Sequence, residues 1–313
     1  SCFATCNVDN PMERCEYNLQ VAYRYVKGTD SNASPVSGYI QSVTEYLYDS
    51  RGLLYETRIM DCAGKTKVAS EYTLPPGRYS VVSWGNVENK SIVNRENIGA
   101  VNREEMLLHL APSTRASTGI YDNTERLYYG YRSFVVGEKG VTHVLMDMAH
   151  AHFLLDLVIK WRSKPPDNTR DFYILYKGAP SEYSFRPNLV FRNDWSTYSS
   201  DTDEPMEEND QLVRYIPSVN AEEKLASHRL DVTMNVDKRI ETRLITYRHC
   251  NISKPLLSIY VGDKQIMKEI DLSRAFKSLG IDLDKNFGQE LGLQVEINGD
   301  QVIVSALSSN DWE

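Results

Sequence analysis

The chain has 313 residues, 41% of them hydrophobic and 25% charged, with a formal net charge of −8 at neutral pH. That length suits two domains better than one compact core, and the acidic balance argues against nucleic acid, for which a basic stripe is expected. It gives little electrostatic help in binding an anionic bilayer. The longest apolar run, 153–159, is broken by Asp156 and falls far short of the roughly 20 residues that cross a bilayer as a helix.

Residues 1–16 read as a polar tether without periodicity, opening on Ser1-Cys2 as though an export segment had been removed. A small residue directly before cysteine is what a lipoprotein cleavage site leaves across its cut. Cys2 is therefore the candidate lipidated residue; Cys6, behind the poorer Thr5, is the alternative, and a plain thiol or disulfide at Cys2 is the bland reading. Leu19, Val21, Tyr23 and Tyr25 alternate with more polar residues, which predicts a half-buried strand. Strands at 43–48 and 53–58 flank the turn sequence Asp49-Ser50-Arg51-Gly52. Pro76-Gly77 predicts a type II turn with positive φ at Gly77. It launches a strand with Tyr79, Val81 and Ser83 on one face and Ser80, Val82 and Trp84 on the other. Residues 86–102 read as a long loop, after which Asn102 is placed to cap a short helix carrying Met106, Leu107 and Leu110 on its apolar side. A strand follows at 128–136.

A second half starts near residue 141. Apolar residues recur at odd positions from 143 to 161, too long a run for one strand, so a bend is expected near Ala149. Further strands are expected at 172–176, 212–216, 230–236, 257–261 and 265–270. Asp271 is placed to cap a helix at 272–279 that Gly280 ends. Asn298-Gly299 joins strands 293–297 and 301–307 and matches a type I′ hairpin turn. The chain thus reads as all-β: a tether (1–16), an N-terminal sandwich domain (17–140) and a C-terminal sandwich domain (141–313), with one or two short helices.

Little in the chain suggests chemistry. His150 and His152 would share a strand face at a spacing zinc proteins use, but Asp147 and His143 fall on the opposite face, which removes the obvious third ligand. The expectation is two hydrogen-bonded or solvated imidazoles, no metal and no other cofactor. The acidic stretch Asp201, Asp203, Glu204, Glu207, Glu208 and Asp210 lacks calcium-loop periodicity and reads as a solvated loop. Nucleophile motifs and a phosphate-cradling glycine loop are missing, so no enzyme is expected. Cys6, Cys15, Cys62 and Cys250 allow three pairings, between which sequence does not choose.

Three features carry a resemblance: the cysteine-rich start before a first strand, the segment Leu74-Pro75-Pro76-Gly77-Arg78-Tyr79 running to Trp84-Gly85, and the ending Ile270-Asp271-Leu272 followed by Phe287-Gly288-Gln289-Glu290-Leu291. Together they resemble the fimbrillin-associated anchor lipoproteins of Bacteroidetes over nearly the whole chain. The resemblance implies two transthyretin-like sandwiches, a lipid anchor in the outer membrane, and surface exposure at the base of a fimbria. It implies the shaft fimbrillin as partner, engaged through β-strand complementation, and a part in assembly and length control. No nucleic acid or small-molecule substrate is expected. The alternative is a glycan-binding surface lipoprotein or tip adhesin, with Trp195 and Tyr198 as local candidates.

Overall fold

The computed structural model describes residues 16–25, 36–112, 119–167, 171–191, 197–199, 214–219, 224–250, 253–283 and 288–307. Cys2, Cys6, Cys15, Trp195 and the acidic stretch 201–210 lie outside them. The first strands are β1 (Leu19–Tyr25), β2 (Ser42–Tyr48), β3 (Leu54–Asp61), β4 (Val68–Tyr72) and β5 (Gly77–Gly85). Next come β6 (Ser91–Val93), β7 (Leu107–Leu110), β8 (Ile120–Tyr121), β9 (Tyr128–Val136) and β10 (Thr142–His150). The remainder begins with β11 (His152–Trp161), β12 (Phe172–Pro180), β13 (Glu182–Phe191), β14 (Thr197–Ser199), β15 (Arg214–Val219) and β16 (Leu225–Val232). It ends with β17 (Ile240–Tyr247), β18 (Leu256–Val261), β19 (Lys264–Asp271), α1 (Ser273–Ser278), β20 (Gln289–Asn298) and β21 (Gln301–Ala306).

The first sheet runs β3-β2-β5-β9-β10-β1-β4. β9 and β10 pair only at Tyr129–Ala149 and Tyr128–His150, so the sheet folds there into two layers that enclose a core. β1 sits parallel to β10 and antiparallel to β4, and its alternate residues Leu19, Val21, Tyr23 and Tyr25 fill that core. β5 is buried on both faces. Tyr79 and Val81 enter the first core, while Val82 and Trp84 enter a second one, against Tyr129, Tyr183 and Phe185. The second core lies under a sheet ordered β14-β13-β7-β6, with β15 beside β13, and so joins strands from both halves of the chain. A third core lies between β17-β11-β20-β21 and β19-β18-β12-β16-β8, with Phe276 of α1 closing it.

Several expectations change. Gly77 is almost extended (φ 159°) and starts β5 opposite Val136, so the Pro-Pro-Gly segment enters the strand without a type II turn. Asn102 does cap, in a reciprocal capping box with Glu105, but only a 3₁₀ turn at Arg103–Glu105. Leu108 and Leu110 are then buried with period 2, and this stretch becomes β7 instead of a helix. The long apolar run breaks at Ala151, and β10 belongs to the first sheet while β11 opens the four-stranded one. The strand taken as the start of the second half therefore completes the first sandwich. In the last hairpin Asn298 pairs with Gln301, and Gly299 (φ 59°) is the first central residue. Positive φ at that residue and not at Asp300 is the pattern of a type II′ turn, not I′. The helix is shorter than expected, Ser273–Ser278, and the cap position falls on Leu272, which makes no side-chain cap bond; Asp271, one residue earlier, accepts from the Ser273 N–H at 2.9 Å.

Candidate functional site

A sheet's edges are where unpaired N–H and C=O groups can take up an added strand. β3 and β4 are the end strands of the first sheet and face each other across a groove of about 590 Å³ lined by Arg58, Ile59, Met60, Ala69, Ser70 and Glu71. Arg58 spans it: its guanidinium donates to the Glu71 carbonyl at 2.6 Å and lies 3.8 Å over the Tyr72 ring. Beneath the groove Glu45 is fully buried. Its carboxylate accepts from Tyr23, Tyr72 and Ser70, and Tyr23 also meets Ser83 at 2.6 Å. Burial raises the Glu45 carboxyl from its ordinary range, against the lowering effect of these hydrogen bonds and of Arg58.

β21 is a different edge. Among the described residues it has no partner beyond β20, and Gln301-Val302-Ile303-Val304-Ser305-Ala306 contains no charge. The other outer strands of comparable length carry the charged residues that normally guard an edge: Arg58 on β3, Glu71 on β4, Arg243 on β17 and Lys268 on β19. Leu307 donates its N–H to the Gly292 carbonyl, which sets the phase of the ladder. Ser305, Ile303 and Gln301 then point their N–H groups at β20, and Val304 and Val302 point theirs outward. The Val302 and Val304 side chains lean on the third core, while Ile303 is exposed.

The histidine pair sits where the two sandwiches meet. His150 ends β10 and His152 starts β11, and strand alternation stacks their rings 4.9 Å apart at 23°. Ala151 between them is pinned at both ends, its N–H donating to Leu127 and its carbonyl accepting from the Tyr183 hydroxyl at 2.6 Å. His152 is fully buried, with Nδ1 2.8 Å from the Leu127 carbonyl and Nε2 2.9 Å from Glu290 Oε1. His150 Nε2 meets the Tyr25 hydroxyl at 2.6 Å. Burial, then its neighbour His152, brings His150 down to about 3. Glu290 would be raised by burial, but the His152 hydrogen bond and the surrounding positive groups bring it down to about 2. The sequence missed Glu290 as a third partner because it lies 138 residues from His152 and is set by the parallel pairing of β11 with β20. Asp147 does face away, held by Arg24 and Arg132. His143 does as well, 3.3 Å from Gln20.

Cys62 and Cys250 are free thiols, so the pairing of those two is not formed. Tyr198 lies on β14, and Trp195 lies outside the described residues. No helix among the described residues is long and apolar enough to cross a membrane.

Residues 12–313 match the family described as fimbrillin-A associated anchor proteins Mfa1 and Mfa2. The fold is similar to that of the fimbrial anchor protein Mfa2 from Porphyromonas gingivalis, at TM-score 0.57 and 13% identity over 91% of this chain and 95% of that one. It is also similar to a candidate adhesin from Bacteroides ovatus (TM-score 0.63, 14% identity, 94% of each chain). A candidate polysaccharide-binding protein from Bacteroides thetaiotaomicron matches as well, at TM-score 0.61 and 12% identity over 95% of this chain and all of that one. At such identities the structures speak for the fold alone, and no curated protein sequence matches the chain. The match across nearly the whole sequence is what carries the assignment: the chain belongs to the family of fimbrillin-A associated anchor proteins.

Proposed function

We propose that the chain is an outer-membrane lipoprotein that holds a fimbria to the cell surface and limits its length, with Cys2 carrying the lipid. The family match over residues 12–313 supports this reading. Acyl chains contribute about 0.8 kcal/mol per buried methylene, which supplies the membrane affinity that an acidic protein lacks. The shaft fimbrillin binds by strand complementation along β21, an uncharged edge with outward N–H groups at Val302 and Val304. An anchored terminus is also one from which the shaft cannot be extended.

The test is a pull-down of shaft subunits from cells carrying the epitope-tagged chain, with a tip protein as control, repeated with Val302→Pro and Val304→Pro. Proline at these positions removes an outward donor without removing a bond to β20, so the fold survives while shaft binding falls sharply. Moderate salt weakens the complex only slightly, because paired backbone is screened less than exposed charge. Binding that survives both prolines, or that collapses in moderate salt, returns the chain to the adhesin reading. In the same cells Cys2→Ser releases the protein from the membrane fraction, and unchanged fractionation rules out Cys2 as the anchor.

A further inference from the structure

The junction of the two sandwiches holds a donor set for which strand pairing has no use. The Leu127 carbonyl, 2.8 Å from His152 Nδ1, accepts a hydrogen bond there and so fixes the proton on that nitrogen. In the neutral ring, Nε2 then presents a lone pair to the Glu290 carboxylate 2.9 Å away. Two acceptors hold that distance only with a cation on one of them or between them. Beside them, His150 is buried, its Nε2 is engaged by Tyr25, and its Nδ1 has no hydrogen-bond partner among the described residues. One ring nitrogen of each histidine and one carboxylate oxygen of Glu290 all lie within 4.8 Å of one another. A proton on His152 satisfies a single pair and leaves His150 Nδ1 without a partner among the described residues, whereas a divalent cation draws one donor atom from each of the three side chains.

We propose that His150, His152 and Glu290 bind a divalent transition-metal cation of the zinc type at the domain junction. Two imidazoles and one carboxylate are a zinc ligand set, with the fourth position left to water, and two nitrogens argue against calcium or magnesium. The Leu127 carbonyl supplies the outer-shell acceptor that metal-binding histidines use. Glu290 reaches the surface, which gives the ion an entry path. Arg126, 3.7 Å from Glu290, competes for the carboxylate and Arg248 donates to the His150 carbonyl, so affinity falls below that of a site without cationic neighbours. The ion would tie the end of β10 in the first sandwich to β11 and β20 in the second, and its role is to fix their relative setting, not to catalyse.

The experiment uses the full chain without a polyhistidine tag, stripped with chelator and titrated with zinc at pH 7.5. The expected result is one zinc per chain by calorimetry and a rise in melting temperature of roughly 3–6 °C at saturation. Glu290→Gln, which keeps the shape and a hydrogen-bonding oxygen, weakens binding by more than roughly 100-fold and removes the rise. Absence of binding by the parent chain, or a rise of equal size in the variant, overturns the proposal. Should the variant fail to fold, cobalt bound to the parent decides: the intense visible bands of a four-coordinate site support the assignment, and the weak spectrum of hexaaqua cobalt overturns it.

Discussion

The first and third cores of this molecule bury comparable numbers of strands but solve the polar problem in opposite ways. The first surrounds a carboxylate, Glu45, with tyrosine and serine hydroxyls at the mouth of the groove between β3 and β4. The third is lined by Leu155, Leu157, Ile159, Ile174, Leu257 and Val295, with its titratable side chains, His228 and His249, at the margins. His249 Nε2 meets the Tyr176 hydroxyl at 2.6 Å, and His228 Nδ1 meets the Asp122 carbonyl at 2.8 Å. A buried acid and buried imidazoles respond to pH with opposite sign, so the Glu45 cluster and the His228 and His249 side chains are stabilised under opposite conditions. An apolar core needs only volume and period, but a buried carboxylate needs each of its donors in place.

The largest effect belongs to the apolar core. Phe153 is fully buried against Tyr176, His249 and Phe276, so Phe153→Ala should cost about 3–5 kcal/mol in chemical denaturation. Glu45→Ala takes the carboxylate acceptor from three buried hydroxyls, of which Tyr23 keeps Ser83, and should cost about 2–4 kcal/mol, while Glu45→Gln, which keeps an acceptor, should cost about half as much. If the two Glu45 variants melt alike, the hydrogen bonds are not what holds the carboxylate in the first core.

Opposite pH responses sharpen the contrast. Burial depresses His249 to about 3 and His228 to about 4, so their contribution is complete above roughly pH 6.5 and is lost as pH falls toward those values. Glu45 is raised, so its contribution is complete below roughly pH 4.5 and declines as pH rises through its folded value. Stability measured from pH 4 to 8 should therefore lose the declining component in Glu45→Gln and keep the acid-side loss. An unchanged profile would mean that Glu45 does not titrate in this window. The smallest effect is at Gly77, where a Cβ meets only Tyr79 at 3.7 Å and φ is nearly extended. Gly77→Val should cost less than about 1 kcal/mol; a larger loss would restore the turn that the sequence suggested.

Much of the strand pattern was legible because alternation is a local signal. β1, β2, β9, β12, β18 and β21 could be seen in residues such as Leu19, Val21 and Tyr23, whose period of two is written in consecutive positions. β5 was harder to interpret, because two cores bury both of its faces and Trp84 belongs to a different one from Val81. β7 was missed because Asn102, Glu105 and Met106 give a true helix start that stops after one turn, and nothing local shows that 107–109 will pair with β13. The His150–His152 pair was visible as spacing. Its burial, its stack and its third partner Glu290 were not, because they depend on a strand pairing far along the chain.

By itself, then, the sequence determined what neighbouring residues decide: an all-β chain, hairpins at Gly52, Gly262 and Gly299, a cap at Asn102, and a family resemblance carried by Leu74-Pro75-Pro76-Gly77. Only the tertiary structure decided which strands share a sheet. It moved β10 into the first sandwich, joined β6 and β7 to β13, left β21 as an uncharged edge, and brought Glu290 to His152. The physical reason is range. Backbone preference and side-chain alternation act within a few residues, but sheet order is set by hydrogen bonds and buried area between segments whose separation in sequence carries no local mark.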